Sequence, residues 1–258
     1  MGRDSVAAMA TQHAIGIDIG GTGIKGAVVD LGTGQLVSNR RKVATPEGGR
    51  PADILTATGE LLAGLSDEFG DELPIGLCFP AIVKHGRTLS AANISKEWIG
   101  LPAEQLFEDA FGREIHFIND ADAAGYAEAR YGAAVGAEGL VILTTLGTGI
   151  GSAFLYEGVL MPNTELGHIE LDGREAEKSA AYSAMERDSL DWPEWAARLQ
   201  RFYSHVEFIF SPDLFVVGGG VSKHHAQFLP MLDLKTPIVP AVHRNNAGIL
   251  GAASLAVH

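Results

Sequence analysis

Cysteine is almost missing from this chain: of 258 residues only Cys78 carries a thiol, inside the apolar stretch PIGLCFP. One thiol excludes a disulfide framework and a cysteine-built metal cluster, and it suits a reducing cytoplasm. Long apolar runs are missing too. No stretch approaches the roughly 18 consecutive apolar residues of a membrane span, and MGRDSVAAMATQH at the start has one arginine but no apolar core of a leader's length. Neither secretion nor membrane insertion is expected. Positive charge is in deficit, with 19 Lys and Arg against 32 Asp and Glu and a formal net charge of −13. That balance argues against the broad basic face a nucleic acid requires. Hydrophobic residues make up 46% of the chain, enough for one large domain or two of about 100 to 150 residues, each with its own core.

Against this background one pattern stands out. Residues 21–27 read GTGIKGA and residues 147–153 read GTGIGSA, an offset of 126 residues, near half the chain. Apolar runs flank both copies, AIGIDIG and AVVD around the first, LVILTTLG and AFLY around the second. Each copy therefore reads as a strand, a tight glycine turn and a returning strand. The period is too long for a solenoid, whose repeats recur every 20–50 residues or so. Two related halves are the better reading.

Periodicity and breakers place strands near 14–19, 24–30, 36–44, 75–79, 115–118, 140–146, 150–156 and 214–217. Helices are placed at 51–69, 102–111, 121–131, 193–210, 221–229 and 246–257. Alternation of the two types gives an α/β class. The expected division is 13–119 with 246–258 as a small N-terminal lobe and 120–245 as a larger C-terminal lobe, with 1–12 a flexible N-terminal segment.

A glycine hairpin has a chemical use. Gly20, Gly21 and Gly23 permit positive φ and close backbone approach, and several N–H groups pointing one way cradle phosphate oxygens. Thr22 and Thr148 add hydroxyl donors, and Gly149 completes the second turn. One such turn alone is as well explained as an ordinary hairpin; two with a threonine between glycines point to a phosphate clamp. The copies differ usefully. Asp18 precedes the first turn, whereas the position 126 residues later is Thr144. A single carboxylate beside phosphates suits Mg²⁺, which keeps most of its waters.

GIDIGGTGIKGAVVD resembles the first phosphate motif of the actin-like sugar kinases, INDADAAG their connecting motif, TLGTGIG their second phosphate motif and FVVGGGVS their adenosine-side motif. In order and spacing these four motifs are similar to the ROK family from about Ile15 onward. DIGGTGIK, NTELGHIELDG and AANISKEWIG resemble its polyphosphate glucokinase branch. The resemblance implies a two-lobed actin-like (ribonuclease H-like) α/β fold with its active site in the interlobe cleft. Typical members of the family follow GH with a cysteine cluster that binds structural zinc. ELGHIELDGREAEKSAAY has no cysteine, so Mg²⁺ but no zinc is expected.

The same resemblance implies transfer of a phosphoryl group from inorganic polyphosphate or ATP to glucose, with mannose a second candidate acceptor. Asp120 matches the family's general base, needed because a sugar hydroxyl is a weak nucleophile at neutral pH. By position alone, Asn119 or Asp120 would read as a helix cap. Asp122 reads as a first-turn carboxylate favoured by the helix dipole. Asn93, Asn119, Asp120, Glu165 and His168 are implied as sugar ligands, and Gly219 and Gly220 as the nucleotide-side turn, with Lys25 a candidate cation for the donor. Glu170 is a further candidate toward the sugar, Trp98 is expected to pack beneath it, and Lys223, His224 and His225 are candidates to extend a cationic path. An ATP-only glucokinase and a non-catalytic actin-like sensor remain as alternatives, and a second copy of the chain is a candidate partner. A sugar-responsive repressor is disfavoured, as no helix-turn-helix segment precedes Ile15.

Overall fold

The structure, a computed structural model, describes residues 13–257. The segment 1–12 expected to be flexible lies outside the described residues. The chain divides into two compact units, one running up to Asp120 and resuming at Ala252, the other Ala121–Gly251.

In the first unit β1 (His13–Ile19), β2 (Gly23–Asp30), β3 (Gln35–Leu36) and β4 (Arg41–Ala44) precede α1 (Pro51–Phe69). Then follow β5 (Ile75–Phe79), the short ribbon β6 (Val83–Lys84) and β7 (Arg87–Thr88), α2 (Ala103–Phe111) and β8 (Ile115–Asn119). The sheet order is β3-β2-β1-β5-β8, with β4 also paired to β2. The single strand expected over 36–44 is two strands, because β3 pairs with the far end of β2 and β4 with its turn end. α1 starts with Pro51 in its first turn, buries Ile54, Thr58, Leu61, Leu62 and Leu65 on one helical face, and stops at Gly70 with φ 88°. That face packs on Ile15, Ile17, Ile24 and Val28 of the sheet.

α3 (Asp120–Tyr131) starts on the last residue of the first unit and, in the second, leads to β9 (Leu140–Leu146), β10 (Ile150–Tyr156) and β11 (Val159–Met161). β12 (Glu170–Leu171) and β13 (Arg174–Glu175) form a small hairpin before α4 (Glu177–Ala180), α5 (Tyr182–Arg187) and α6 (Trp192–Phe210). β14 (Leu214–Gly218) and β15 (Ile238–Pro240) complete its sheet, and α7 (Ala247–Leu255) begins in this unit and ends in the first, which resumes at Ala252. Asp191 and Glu194 close a reciprocal capping box at the start of α6, whose Trp195, Leu199, Phe202, Tyr203 and Val206 enter the core. The helix expected at 221–229 is instead a 3₁₀ segment, Gly220–Gln227, broken at His224 and followed by Leu229–Met231.

The second sheet runs β11-β10-β9-β14-β15. This is the plan of the first: an antiparallel hairpin, then two strands parallel to its first member. The repeated heptapeptide marks a repeated topology.

Candidate active site

Three parallel strands of the first unit bring their C-terminal ends together, and the candidates Asp18, Asn119 and Asp120 sit there. Asp18 on β1 is in register with Cys78 on β5, and Cys78 with Ile118 on β8, so Asp18 and the end of β8 at Asn119 and Asp120 share one edge. Ligands of open α/β sheets gather at this end of the strands. The Cys78 thiol, fully buried between them, is pushed well above its ordinary pKa by desolvation and then by the charges of Asp18 and Asp120. It is therefore a packing residue rather than a nucleophile. Asn119 is buried and donates its amide to the Ala81 carbonyl at 3.0 Å, which fixes its orientation.

The first glycine turn closes with the Gly20 amide donating to the Gly23 carbonyl at 3.0 Å. Gly20, Gly21 and Gly23 do not take the positive φ the sequence suggested. At Gly21 the requirement is room: a Cβ there would stand 2.7 Å from the Asn93 carbonyl oxygen. Asn93 itself is left-handed, φ 58°, and exposed beside the turn. Thr22 is exposed at its tip. Lys25 lies 3.2 Å from the Asp18 carboxylate. Lys42, overlooked in sequence because it belongs to no glycine motif, is directly opposite Lys25 in register on β4.

The second turn is one residue shorter. Leu146 pairs with Ile150, whereas Ile19 pairs with Ile24, so Gly151 faces Thr145. The counterpart of Asp18 is thus Thr145 and not Thr144, a one-residue slip that reverses the face. Thr144 points into the core, where its hydroxyl meets the Tyr203 hydroxyl at 2.6 Å and burial raises the tyrosine pKa. The neutral character inferred for this position survives the correction. The Thr148 carbonyl accepts the Ser183 hydroxyl at 2.6 Å, and a Cβ on Gly149 would strike the Glu177 carboxylate.

Glu165 and His168 bracket the single 3₁₀ turn Leu166–His168. Ser152 accepts the Leu166 amide at 3.0 Å and donates to the Thr164 carbonyl at 2.7 Å, which fastens this loop to β10. Glu165 has a raised pKa, first from desolvation, with His168 pulling it down and Glu177 pushing it up. His168 Nδ1 lies 3.3 Å from Glu175 and its Nε2 4.0 Å from Glu165. One ligand-type atom each of His168, Glu175 and Glu177 falls within 4.8 Å of the others. This set has no thiolate, unlike most structural zinc sites, and the Lys178 ammonium already stands 2.9 Å from Glu177 and 3.7 Å from Glu175. Glu175 and Glu177 left no sequence signal beyond their distance from ELGH.

Other candidates are placed less centrally. Asp122 is fully buried and accepts the Asn163 amide at 2.8 Å, so it braces a loop beyond any dipole effect. Trp98 is fully buried in the core of the first unit and donates to the Gly49 carbonyl. Glu170 is exposed on β12. Gly219 has φ 83° and its Cα faces the Leu146 backbone, so any side chain would collide, while Gly220 opens onto space. Lys223 is exposed; His224 lies against Trp192, and His225 Nδ1 is 3.0 Å from the Ser222 carbonyl.

Two sheets of one plan, each carrying a glycine hairpin, define an actin-like α/β protein built for phosphoryl transfer. The ROK family signature matches residues 14–183. Polyphosphate glucokinase of Mycobacterium tuberculosis is 45% identical over 95% of this chain and 92% of its own length. The inorganic polyphosphate/ATP-glucomannokinase of Arthrobacter sp. strain KM superposes with a TM-score of 0.91 at 52% identity, covering 95% of this chain and 98% of that one. A ROK family glucokinase from Streptomyces griseus, solved with glucose and AMPPNP, has a TM-score of 0.80 at 26% identity, covering 94% and 98%. The chain belongs to the ROK family.

Proposed function

We propose that this chain is a glucokinase that transfers a phosphoryl group from inorganic polyphosphate and from ATP to the 6-hydroxyl of glucose. The observation carrying the reading is the convergence of Asp18, Lys25, Asn119 and Asp120 on one strand edge, in a chain similar along nearly its whole length to named polyphosphate glucokinases. Asp120 accepts the hydroxyl proton as the oxygen–phosphorus bond forms. Backbone N–H groups of the turns at Gly20–Gly23 and Thr148–Gly149 hold the donor phosphates. Asn93, Asn119, Asp120, Glu165 and His168 are assigned to the sugar hydroxyls. An imposter sugar that leaves such groups unpaired forfeits roughly 1–3 kcal/mol each. Gly219 and Gly220 are assigned to ATP, since open space at Gly220 admits a ligand close to backbone.

Asp18 is a fitting magnesium ligand: one hard carboxylate, with its partner position Thr145 neutral, suits an ion that retains water. Magnesium bound there would neutralise charge on the donor phosphates. No structural zinc is proposed, on the thiolate-free donor set around His168 and the ammonium already in it. Mannose is proposed as a second acceptor, after the glucomannokinase relative. A cytoplasmic location is proposed from the single buried thiol; among the described residues no helix is long and apolar enough to cross a membrane.

A homodimer is proposed through the second unit. By register, Tyr156, Val159 and Met161 share with Phe154 the face of the edge β10–β11 pair on which Phe210 packs edge-on. Those three side chains are exposed, as is Phe208 at the end of α6, and an exposed apolar edge of this kind seeks a partner.

The deciding experiment incubates the chain with glucose, Mg²⁺ and either ATP or long-chain polyphosphate and measures glucose 6-phosphate. Product with both donors is expected. Product from ATP alone leaves an ATP glucokinase, and product from neither leaves the sensor reading.

A further inference from the structure

Net charge and proposed donor are in conflict: polyphosphate carries about one negative charge per phosphate, and the chain carries −13. Such a ligand binds where cations dominate within a Debye length, roughly 8 Å at physiological salt. The register of the first sheet shows where. Asp18 pairs with Lys25, and Lys25 with Lys42, so the three side chains form a row on one face of β1, β2 and β4. The opposite face is the one that packs on α1, and Arg41, one residue before Lys42, is directed there: it pairs with Glu68, and its guanidinium lies against Gly64 of α1.

Within the row the two lysines differ. Lys25 is paired with Asp18 at 3.2 Å. Lys42 makes no ion pair among the described residues. Its stem leans along the sheet to the glycine turn, for a Cβ built on Gly23 would stand 2.9 Å from Lys42 Cε and 3.8 Å from its Nζ. The same strand end also braces the turn, the Thr45 hydroxyl donating to the Gly20 carbonyl. Like charges directly opposite on neighbouring strands repel each other. An anion received at the turn removes that penalty.

We propose that Lys42 is a donor-binding residue, and that with Lys25 it forms a two-ammonium clamp on the phosphates of a condensed phosphate chain held at the Gly20–Gly23 turn. The inference rests on the donor reading above. It takes in the β- and γ-phosphates of ATP as well as polyphosphate, because both present the same terminal groups to the turn.

The test compares wild type, Lys42→Ala and Lys42→Arg with polyphosphate and with ATP at several salt concentrations. For Lys42→Ala the KM of each donor should rise at least about 10-fold, with the KM of glucose within about 2-fold and the melting temperature no lower than that of wild type. The dependence of log KM for polyphosphate on log salt should flatten by somewhat less than one unit, as for loss of a single phosphate contact. Lys42→Arg should restore most of the affinity. Unchanged donor KM, an equal rise in glucose KM, or a lowered melting temperature with unchanged donor KM would overturn the clamp. Wild type that uses ATP but not polyphosphate would sink the donor reading instead, and the ATP arm would still decide on Lys42.

Discussion

Substituting alanine at Gly21 tests whether the first turn and the Asn93 loop act as one device. The added Cβ would stand 2.7 Å from the Asn93 carbonyl oxygen and 3.2 Å from its Cβ. Reaching the 3.4 Å where ordinary contact begins demands a shift of about 0.7 Å. The obstacle is backbone, and Asn93 at φ 58° is already in the left-handed region, so no rotamer change relieves it. Overpacking of this sort costs about 1–3 kcal/mol, a fall of roughly 4–11 °C in melting temperature for a unit of this size. Because the displaced residue is assigned to the sugar, and misplacement of about 1 Å costs up to 100-fold, kcat/KM for glucose should drop about 10- to 100-fold. Gly147→Ala in the second turn is the control: a Cβ there meets nothing within 4 Å, and its stability should change by less than about 0.5 kcal/mol. Thermal melts and glucose saturation curves of both variants decide the matter. A Gly21→Ala enzyme with wild-type melting temperature and wild-type glucose KM would refute the reasoning.

Asp120→Asn keeps shape and hydrogen bonding but removes the proton acceptor, so kcat should fall about 100-fold or more while glucose still binds; near-normal turnover would remove Asp120 from the chemistry. Glu165 is more basic in the folded chain than its ordinary value of 4.5, so the native state binds the extra proton and stability falls as pH rises from about 4.5 through the raised pKa. Glu165→Gln should flatten that part of the stability curve and weaken glucose binding, and an unchanged curve would show that the desolvation is not felt. Metal analysis of chain purified without added metal should find no stoichiometric zinc; one tightly held zinc per chain would mean that His168, Glu175 and Glu177 bind metal in spite of Lys178. Val159→Glu should shift the chain to monomer in sedimentation at micromolar concentration if the β10–β11 edge forms the dimer, and an unaltered dimer would move the interface elsewhere.

Much of the fold could be read from local pattern, and the failures have physical causes. α1 and α6 were legible because apolar spacing, an N-terminal proline and, for α6, a capping box agree. β12 and β13 have two residues each, too few for alternation to register. The 221–229 helix failed since GVSKHHAQ holds no apolar stripe that would reward a regular α-helix, and the chain tightens to 3₁₀ with a break at His224. Asp18, Asn119, Asp120, Glu165 and His168 became candidates only through motifs. Lys42, Glu175 and Glu177 were not legible at all, since what places them is a cross-strand register and a loop contact, neither written in their neighbours along the chain.

The duplicated plan explains why the two turns need different neighbours. At the turn end of β2 the adjoining edge is taken by β4, which brings Lys42 opposite Lys25. At the corresponding end of β10 that edge is taken by Thr164–Leu166, fastened through Ser152, which leads directly into Glu165 and His168. The same structural position thus carries cations in one unit and a carboxylate with an imidazole in the other. Donor phosphates call for positive charge and N–H groups, whereas sugar hydroxyls call for acceptors that also tolerate a nearby anion. Asp18 and both lysines stand in one copy, whereas the matching positions of the other hold the neutral Thr145 and Gly151. A functional sheet pair of this type is constrained less by the heptapeptide it repeats than by the edge segment laid beside each copy.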